Sequence, residues 1–524
     1  MGNPLTNLIS TVTIPFRNQI RRASTGLLSK NQNGANHPNG ISNGNGYTYV
    51  NGTNGSTNGH LNGHINGHTN GYTTMADSER SPLLGGRWTT TESDDEFSWR
   101  AFLFDNKKTP GTAHSNPLVR YPTRVWNVTK VTLLSSWINI LLIFVPLGII
   151  AGERQWGAPA VFTLNFFAII PLAAVLSFAT EEIAHRLGET LGGLVNATFG
   201  NAVELIVSIV ALRAGEIEVV QASMLGSILS NLLLVLGMCF LLGGIVNMRD
   251  SRGIGTEQTF ASGTAQTTCS MMTLASASLI IPAALYNVLN HSDSAEKQAS
   301  ILTLSRGTSV ILLLLYCAYL FFVLRTHKEL FEPEAQAPQA AGEAVGDVLT
   351  TSSDEEEEPI LSPLSAALVL IATTVIISYA ADYMVDSIDD IAATGAISKT
   401  FIGLILIPIV GNAAEHVTAC VVAVKNKMDL AMGVAIGSSI QIALLVTPSL
   451  VLLGWAIGQP MTLHFETFET IAFALSVMVV TYTVQDGRSN YLEGAMLMGL
   501  YVIIALAFWA SPADALNKLS ESFF

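Results

Sequence analysis

Charged residues are scarce in this chain of 524 residues. Only 13% of the residues are charged and 49% are hydrophobic, whereas a soluble protein usually carries about 25% charged residues. These proportions exclude an ordinary soluble enzyme, because a soluble core could not accommodate so many long apolar runs. The net charge of −14 also argues against a nucleic-acid partner, since binding to phosphates requires a basic surface.

Cysteine is equally scarce, and no secretory signal pattern is present. The four cysteines, Cys239, Cys269, Cys317 and Cys420, form no CxxC pair, which argues against a zinc site or a redox motif. We therefore expect them to be buried free thiols. The N-terminal stretch is polar, and the first long apolar run begins only near Val131, so we expect no cleaved signal peptide.

The N-terminal part, residues 1–120, is predicted to be a disordered tail. Residues 31–72 consist largely of Asn and Gly, and such a segment cannot bury enough apolar surface to offset its loss of conformational entropy. His60, His64 and His68 recur every four residues, which leaves metal binding open as an alternative. The glycine in each repeat opposes the helix that would align these histidines, so a flexible tail is the preferred interpretation.

From residue 131 onwards, apolar runs alternate with short polar loops. A membrane-spanning helix needs about 20 predominantly apolar residues, and the small residues within the runs favour close helix contact in lipid. The sequence therefore predicts an all-α polytopic membrane protein with about 11 transmembrane helices. The predicted spans are residues 131–151, 156–178, 191–212, 219–245, 268–289, 305–325, 360–382, 400–424, 429–457, 466–484 and 491–510.

Two polar segments separate or follow the predicted spans. Residues 326–359 form a linker that contains the acidic run 354–358, and residues 511–524 form a short C-terminal tail. The linker is either simply solvated or a strip that attracts cations or regulates the protein. Basic residues are more frequent in the loops on the side of the N-terminus. This bias predicts a cytosolic N-terminus and linker and, after eleven spans, a C-terminus on the opposite side of the membrane.

An internal repeat is the strongest signal in the sequence. Residues 200–204 read GNAVE and residues 411–415 read GNAAE, and the same offset of 211 also aligns residues 226–227 with residues 437–438. Five predicted spans separate the two copies, so an odd number of crossings gives them opposite orientations. Inverted five-helix repeats of this kind are typical of secondary transporters. The predicted parts are residues 131–325, an accessory first helix with the first repeat, and residues 360–510, the second repeat.

Each copy of the repeat places a glutamate inside an apolar helix. Carboxylates such as those of Glu204 and Glu415 are costly at membrane depth and usually have a function there. The alternative is that these glutamates are protonated or paired and hold helices together. Asn201 and Asn412 lie three residues before the glutamates, so each pair is expected to project from one helical face.

Further oxygen atoms are available around these glutamates. Gly200 and Gly411 begin the two motifs, and glycine allows the backbone to approach closely or to unwind and so to free carbonyl oxygens. Polar side chains follow in the next helix of each half, where they either line an ion site or form interhelical hydrogen bonds. These side chains are Ser227, Ser230, Asn231, Ser438 and Gln441.

A site built from these residues offers only oxygen ligands. Ca²⁺ takes about six to eight oxygens in a flexible cage, and two carboxylates balance a divalent ion. An empty, doubly ionised site would be unfavourable in a low dielectric, so the ion must be exchanged for protons or for another cation such as Na⁺ or K⁺. We expect no cofactor besides the transported ion.

Three further residues are candidates for a proton path. His416 directly follows the second motif glutamate, and Glu181 and Asp382 occupy related positions after a weaker match between residues 177–179 and 378–380. A histidine can relay protons near neutral pH. The alternative is that His416 serves helix packing and that the two acids are simply hydrated at the membrane interface.

These motifs resemble the paired signature repeats of Ca²⁺/H⁺ antiporters in the cation/Ca²⁺ exchanger superfamily, in particular those of fungal vacuolar exchangers. The resemblance implies H⁺ as the counter-ion and Glu204 and Glu415 as ligands of the transported ion. It also implies an accessory first helix, an acidic helix in the linker, and a vacuolar membrane with a lumenal C-terminus. The residues that carry it read GNAVEL at 200–205, GNAAEH at 411–416, QASMLGS at 221–227 and GVAIGSSIQ at 433–441.

Other functional classes remain open alternatives to a Ca²⁺ antiporter. The same oxygen ligands would suit an exchanger for Mn²⁺ or one driven by Na⁺ or K⁺. A cation channel could use carboxylates as a selectivity ring, but a single motif pair in each chain argues against a ring. An enzyme could use intramembrane carboxylates, but no nucleophile–base pair, paired histidine ligands or phosphate loop supports one.

Overall fold

A computed structural model describes residues 116–249, 255–289, 294–327, 360–395 and 397–510, and in addition residues 103, 109, 110, 112 and 114. All of them belong to one compact unit, Glu92–Phe524. Almost all of the predicted N-terminal tail, most of the linker with its acidic run, and the C-terminal residues 511–524 lie outside the described residues. The assignments made for those segments stay predictions.

The described chain is almost entirely helical, as its apolar runs predict, and it is an all-α membrane protein. Within the described residues, seven helices are long and apolar enough to cross a bilayer, or up to nine if each of two sharply bent helix pairs counts as one span. The count of eleven spans therefore stays a prediction.

The elements are defined as follows, in chain order. The helices of the first half are α1 (Pro117–Leu134), α2 (Phe144–Glu153), α3 (Ala158–Phe199), α4 (Ala202–Ala214), α5 (Ile217–Leu229), α6 (Leu236–Val246), α7 (Ser262–Val288) and α8 (Ser294–Phe321). Those of the second half are α9 (Pro363–Asp386), α10 (Ile388–Ala393), α11 (Lys399–Phe401), α12 (Ile407–Gly411), α13 (Ala413–Val424), α14 (Met428–Gln441), α15 (Thr447–Ile457), α16 (Thr467–Thr483) and α17 (Tyr491–Ala510). Two short strands, β1 (Gln258–Thr259) and β2 (Arg488–Ser489), pair antiparallel. A 3₁₀ helix and π-helical segments join several helices: Trp137–Ile143, Ser230–Val235, Phe322–Thr326, Ile402–Leu406 and Ile442–Val446.

The first predicted span, residues 131–151, is not one helix. α1 ends at Leu134 and meets the next helical segment, Trp137–Glu153, at an angle of 109°. The break lies at Ser136, whose side chain accepts a hydrogen bond from the backbone N–H of Ile138 and so caps the new segment. A polar cap inside an apolar run ends one helix and begins another, and hydropathy alone does not reveal it.

The four cysteines are free thiols, but they are not all buried. Cys239 and Cys269 are buried, Cys420 is half-buried and Cys317 is exposed. The expectation of four buried thiols is therefore wrong for Cys317. An apolar helix in a membrane can present an apolar side chain to lipid as well as to the protein core, because lipid tails are as apolar as the core.

The long helix α3 continues through the second predicted span and into the third. The carbonyl of Ala184 lies so close to Gly192 that a Cβ atom there would collide with it. Eight residues extend about 12 Å along a straight helix, so α3 must bend sharply between these two residues. Glycine is needed at position 192 because the backbone contacts itself there.

The two halves run in opposite directions, as the number of spans between the motifs predicts. α5 and α6 form one span, Ile217–Val246, and α14 and α15 form the related span, Met428–Ile457; each has 30 residues. At the end of the first span, the Asn247 side chain donates a hydrogen bond to the carbonyl of Val424, 3.3 Å away. Val424 ends the helix that precedes the related span, so that span begins at the end of the molecule where the first one stops.

The beginning of the second half is anchored on α3. Glu182 accepts hydrogen bonds from the backbone N–H groups of Ile360 (3.2 Å) and Leu361 (2.7 Å), and Arg186 donates one to the carbonyl of Leu361. The Leu361 side chain is buried in a small apolar cluster with Val131 of α1. These contacts hold α1, α3 and the segment before α9 together.

We expect Glu182→Ala to lower the stability of the fold. The substitution leaves the N–H groups of Ile360 and Leu361 without their acceptor, and the loss at the buried N–H group of Leu361 costs about 1–3 kcal/mol. Glu182→Gln keeps one acceptor oxygen and should fall between the Ala variant and wild type. The measurement is the midpoint of thermal unfolding in detergent. His185→Ala, at an exposed position of the same helix, is the control, and equal midpoints for Glu182→Ala and this control would contradict the anchoring role.

Candidate cation site

The helices are interrupted at both copies of the repeat motif. In the first copy, Gly200 and Asn201 lie between α3 and α4. In the second, Asn412 separates α12, which ends at Gly411, from α13, with a bend of 57° between the two helical segments. The backbone therefore unwinds beside the motif glycines, as the sequence predicts. The expectation that each asparagine shares a helical face with its glutamate is not met in either copy, because Asn201 (φ −100°, ψ 27°) and Asn412 (φ −88°, ψ 4°) occupy the breaks.

The two motifs meet, so both halves contribute to one site. Gly411 lies against the carboxylate of Glu204, since a Cβ atom at position 411 would be 2.8 Å from Oε1 of this residue. Glu204 and Glu415 occupy the first turns of α4 and α13, where the helix dipole favours a negative charge. Both glutamates thus flank the contact between the two motifs, where a bound cation would balance their negative charges.

A chain of hydrogen bonds connects the first motif to the second half. The Ser438 hydroxyl donates to Oδ1 of Asn201 (2.7 Å), and Nδ2 of Asn201 donates to Oε1 of Gln441 (2.6 Å). Nδ2 of Asn231 donates to the Ser438 hydroxyl (2.9 Å). These hydrogen bonds join α14 to the first half. They also fix the orientation of the side chains and therefore of their oxygen atoms. Ser227, also predicted to contribute, is buried in α5.

Several oxygen atoms of this group lack a hydrogen-bond partner. Oε2 of Glu204, Oε2 of Glu415, Oδ1 of Asn231 and Oδ1 of Asn412 are buried, and none of them is paired within the described residues. Buried polar atoms are normally satisfied, and oxygens that carry no proton are the ligands that Ca²⁺ takes. No group of three or more His, Cys, Asp or Glu side chains in the described part of the chain could hold a metal ion. Amide, hydroxyl, backbone or water oxygens would therefore have to complete the shell.

A cavity of about 500 Å³ reaches this group of residues and is lined by both halves. The cavity extends towards the start of α14. This start lies at the same end of the molecule as the last residues of α6. The predicted site residues that line it are Gly200, Gly411, Glu415, Ser438 and Gln441. Those that are buried outside this lining are Glu204, Asn201, Asn412, Ser227 and Asn231. The cavity thus reaches one of the two glutamates directly.

Only part of the predicted proton path lies at the cavity. Glu181 lines it, whereas Asp382 is exposed and is not among the lining residues. Nε2 of His416 lies 3.3 Å from the hydroxyl of Ser230, a contact between the two halves. A role for His416, Glu181 or Asp382 in proton transfer stays a prediction.

Asp429 is a cavity residue that the motifs do not include. It lines the cavity and accepts a hydrogen bond from the backbone N–H of Ala261, 2.8 Å away, at the start of α7. The offset of 211 aligns Asp429 with Glu218, which accepts a hydrogen bond from the Thr400 hydroxyl (2.9 Å). The two acids therefore pair when the alignment of the repeats is extended beyond the motifs. This pairing is the feature of the sequence that could have identified Asp429.

Comparisons with known proteins agree with this architecture. The family described as sodium/calcium exchanger protein matches residues 157–325 and 365–510. The vacuolar calcium ion transporter of Schizosaccharomyces pombe is 48% identical over 388 residues, which cover 74% of this chain and 88% of the relative. The Ca²⁺/H⁺ antiporter of Aphanothece halophytica is 40% identical over 378 residues, with 71% of this chain and 96% of the relative covered.

Solved structures agree as well. The native structure of YfkE, which is described as a Ca²⁺/H⁺ antiporter, is 34% identical and aligns with a TM-score of 0.57 over 71% of this chain and all of YfkE. The family resemblance inferred from the two motifs is therefore confirmed. The family match also covers more than half of the chain and includes both copies of the repeat. This chain belongs to the sodium/calcium exchanger family of membrane proteins.

Proposed function

We propose that this protein is a secondary antiporter that moves Ca²⁺ from the cytosol into an acidic vacuolar lumen in exchange for H⁺. The observation that carries the proposal is the meeting of the two motifs, one from each inverted repeat, where Gly411 lies against the carboxylate of Glu204 beside buried oxygens that have no hydrogen-bond partner among the described residues. The names of the relatives support it, since they are a vacuolar calcium ion transporter and a Ca²⁺/H⁺ antiporter.

The charge of the site explains why transport would be an exchange. With Ca²⁺ bound, two carboxylates and a divalent ion sum to zero, and with both carboxylates protonated the site is neutral again. The empty site with two negative charges is unfavourable in a low dielectric. The carrier would therefore change between its two orientations only when it is loaded with Ca²⁺ or with protons, and the binding residues would be open to one side at a time.

The proton gradient of an acidic compartment is sufficient for this task. Each pH unit contributes about 1.4 kcal/mol for each proton that moves. Two protons that cross a difference of about two pH units would sustain a Ca²⁺ ratio of about four decades.

The cavity end of the molecule is assigned to the cytosol. Lys425 and Lys427 lie in the loop directly before α14, and basic residues favour the cytosolic side of a membrane. Glu181 and Asp429 line the cavity near this end, so their negative charge would attract a cation from the cytosol. This orientation places the N-terminus in the cytosol and the C-terminus in the lumen.

We expect Ca²⁺ uptake into sealed vesicles to require an acidic interior. The test uses purified protein in lipid vesicles, Ca²⁺ added outside, and an indicator dye inside that reports Ca²⁺. Uptake should stop when a proton ionophore collapses the pH gradient, and vesicles without protein serve as the control. Uptake that survives the collapse, or that needs Na⁺ or K⁺ on the opposite side, would reject proton coupling. Currents that follow the Ca²⁺ gradient alone would indicate a channel, and the same assay with Mn²⁺ measures selectivity.

A further inference from the structure

One side of the membrane core is closed by direct contact between the two halves. The carbonyl of Leu404 lies so close to Gly226 of α5 that a Cβ atom there would collide with it. Gly403, the neighbour of Leu404, packs on α5 one turn earlier. A Cβ atom on Gly403 would lie 2.8 Å from the Cβ of Ala222 and 3.2 Å from the carbonyl oxygen of Val219. All five residues are buried. We call this contact the closed seam.

Four of the five repeat-related residues are in the opposite arrangement, and the fifth, Gly192, the counterpart of Gly403, is buried and does not line the cavity. The counterparts of Val219, Ala222, Gly226 and Leu404 at the offset of 211 are Leu430, Gly433, Gly437 and Gly193. All four counterparts line the cavity. A Cβ atom on Gly433 or Gly437 would meet open space, with no neighbour among the described residues within 4 Å. The cavity therefore occupies the place where the halves touch on the other side.

We propose that Gly433 and Gly437 of α14 form the contact that closes the cavity when the carrier changes its orientation. When the carrier opens to the opposite side of the membrane, α14 packs on α3 at Gly193. This contact is the counterpart of the one that α5 makes with Leu404 in the closed seam. The inference rests on the proposed antiport function and adds the residues that perform the closure. Because the two halves are inverted copies, the contact that closes one side is the template for the contact that closes the other.

The template makes different demands on the two glycines. Position 437 corresponds to Gly226, where a backbone carbonyl fills the space that a Cβ atom would take. An alanine at 437 is therefore incompatible with closure. Position 433 corresponds to Ala222, whose Cβ atom is accommodated in the closed seam, so an alanine at 433 is compatible with closure.

The experiment compares Gly437→Ala with Gly433→Ala. Both changes meet open space in this structure, so both proteins should fold and should bind Ca²⁺ in detergent as wild type does. In the vesicle assay, Gly437→Ala should lower Ca²⁺ uptake at least about tenfold, which is about 1.4 kcal/mol in activation free energy. Gly433→Ala should transport at the wild-type rate. Gly499→Ala, on α17 and also in open space, controls for the substitution itself.

A second measurement reports the orientation of the carrier directly. Ser177 is exposed and lines the cavity, so a thiol reagent reaches Ser177→Cys while the cavity is open. Peptide mass spectrometry measures modification at residue 177 alone, so the native cysteines do not interfere. During exchange this cysteine should be partly protected in the otherwise wild-type protein and in the Gly433→Ala background. In the Gly437→Ala background it should stay fully reactive.

Normal transport by Gly437→Ala would overturn the proposal. Equal losses in both alanine variants would overturn it as well, because the repeat predicts a difference between them. The comparison does not depend on the counter-ion. If uptake needs Na⁺ instead of a pH gradient, the proposed proton coupling fails, and the two glycine variants are then compared in Na⁺-driven uptake.

Discussion

Glu415→Gln is expected to abolish Ca²⁺ transport while the protein remains folded, and Glu204→Gln is expected to do the same. Glutamine has nearly the same shape but carries no charge, so the site can neither balance a divalent ion nor release a proton. One unit charge at about 4 Å contributes about 4 kcal/mol of attraction for each cation charge at an effective dielectric constant of about 20. Even after compensation by a lower desolvation cost, transport should fall at least about 100-fold.

The measurement is Ca²⁺ uptake into vesicles, with helicity and elution volume in detergent as tests of folding. Asp390→Asn removes an exposed carboxylate in the first turn of α10 and should leave uptake unchanged. Although the cavity reaches only Glu415, the loss is expected for both glutamates, because in the proposed function both carboxylates balance the charge of the same ion. Near-normal uptake by either glutamine variant would remove that residue from the site.

Gly411→Ala is expected to impair transport as well, although it adds a single methyl group. The new Cβ atom would lie 2.8 Å from Oε1 and 3.2 Å from Cδ of Glu204. The carboxylate is the far end of a flexible side chain, so it moves away and the backbone keeps its fold. A displacement of about 1 Å in a preorganised site costs about 100-fold, and a loss of at least about tenfold in Ca²⁺ uptake is expected.

The control for this variant is Gly499→Ala, where the added Cβ atom has no neighbour within 4 Å among the described residues. A lower apparent affinity for Ca²⁺ with an unchanged unfolding midpoint is the result expected for Gly411→Ala. A lower unfolding midpoint with unchanged affinity would show instead that the glycine serves the fold rather than the geometry of the carboxylate.

The fold class and the residues of a candidate site could be predicted from the sequence for simple physical reasons. Charged groups are costly in lipid, so two glutamates at repeat-related positions of apolar helices mark a functional site. An odd number of spans between the copies implies inversion, and the hydrogen bond from Asn247 to Val424 agrees with it. The two motifs also indicated the family, which the comparisons confirm.

Some local details could not be predicted from the sequence, because they depend on tertiary contacts and not on the periodicity of apolar residues. A serine cap splits the first span at Ser136, and a close backbone contact bends α3 at Gly192. Asn201 and Asn412 lie in helix breaks rather than on a helical face, and Asn201 bonds there to Ser438 and Gln441 of the other half. Each of these features depends on which parts of the chain meet, and spacing along one helix does not contain that information.

The sequence by itself determined that the chain is a helical membrane protein, that it is built from two inverted copies, and that each copy contributes one intramembrane carboxylate. These properties follow from hydropathy and from the offset between the motifs, and both can be determined from the order of residues along the chain. Only the tertiary structure decided which side of the core is closed, because both halves offer a glycine at the related positions 226 and 437 and the sequence does not show which of them is in contact. Whether Gly226 or Gly437 touches the other half depends on how the two copies pack, which is a property of the tertiary structure and not of the spacing along the chain.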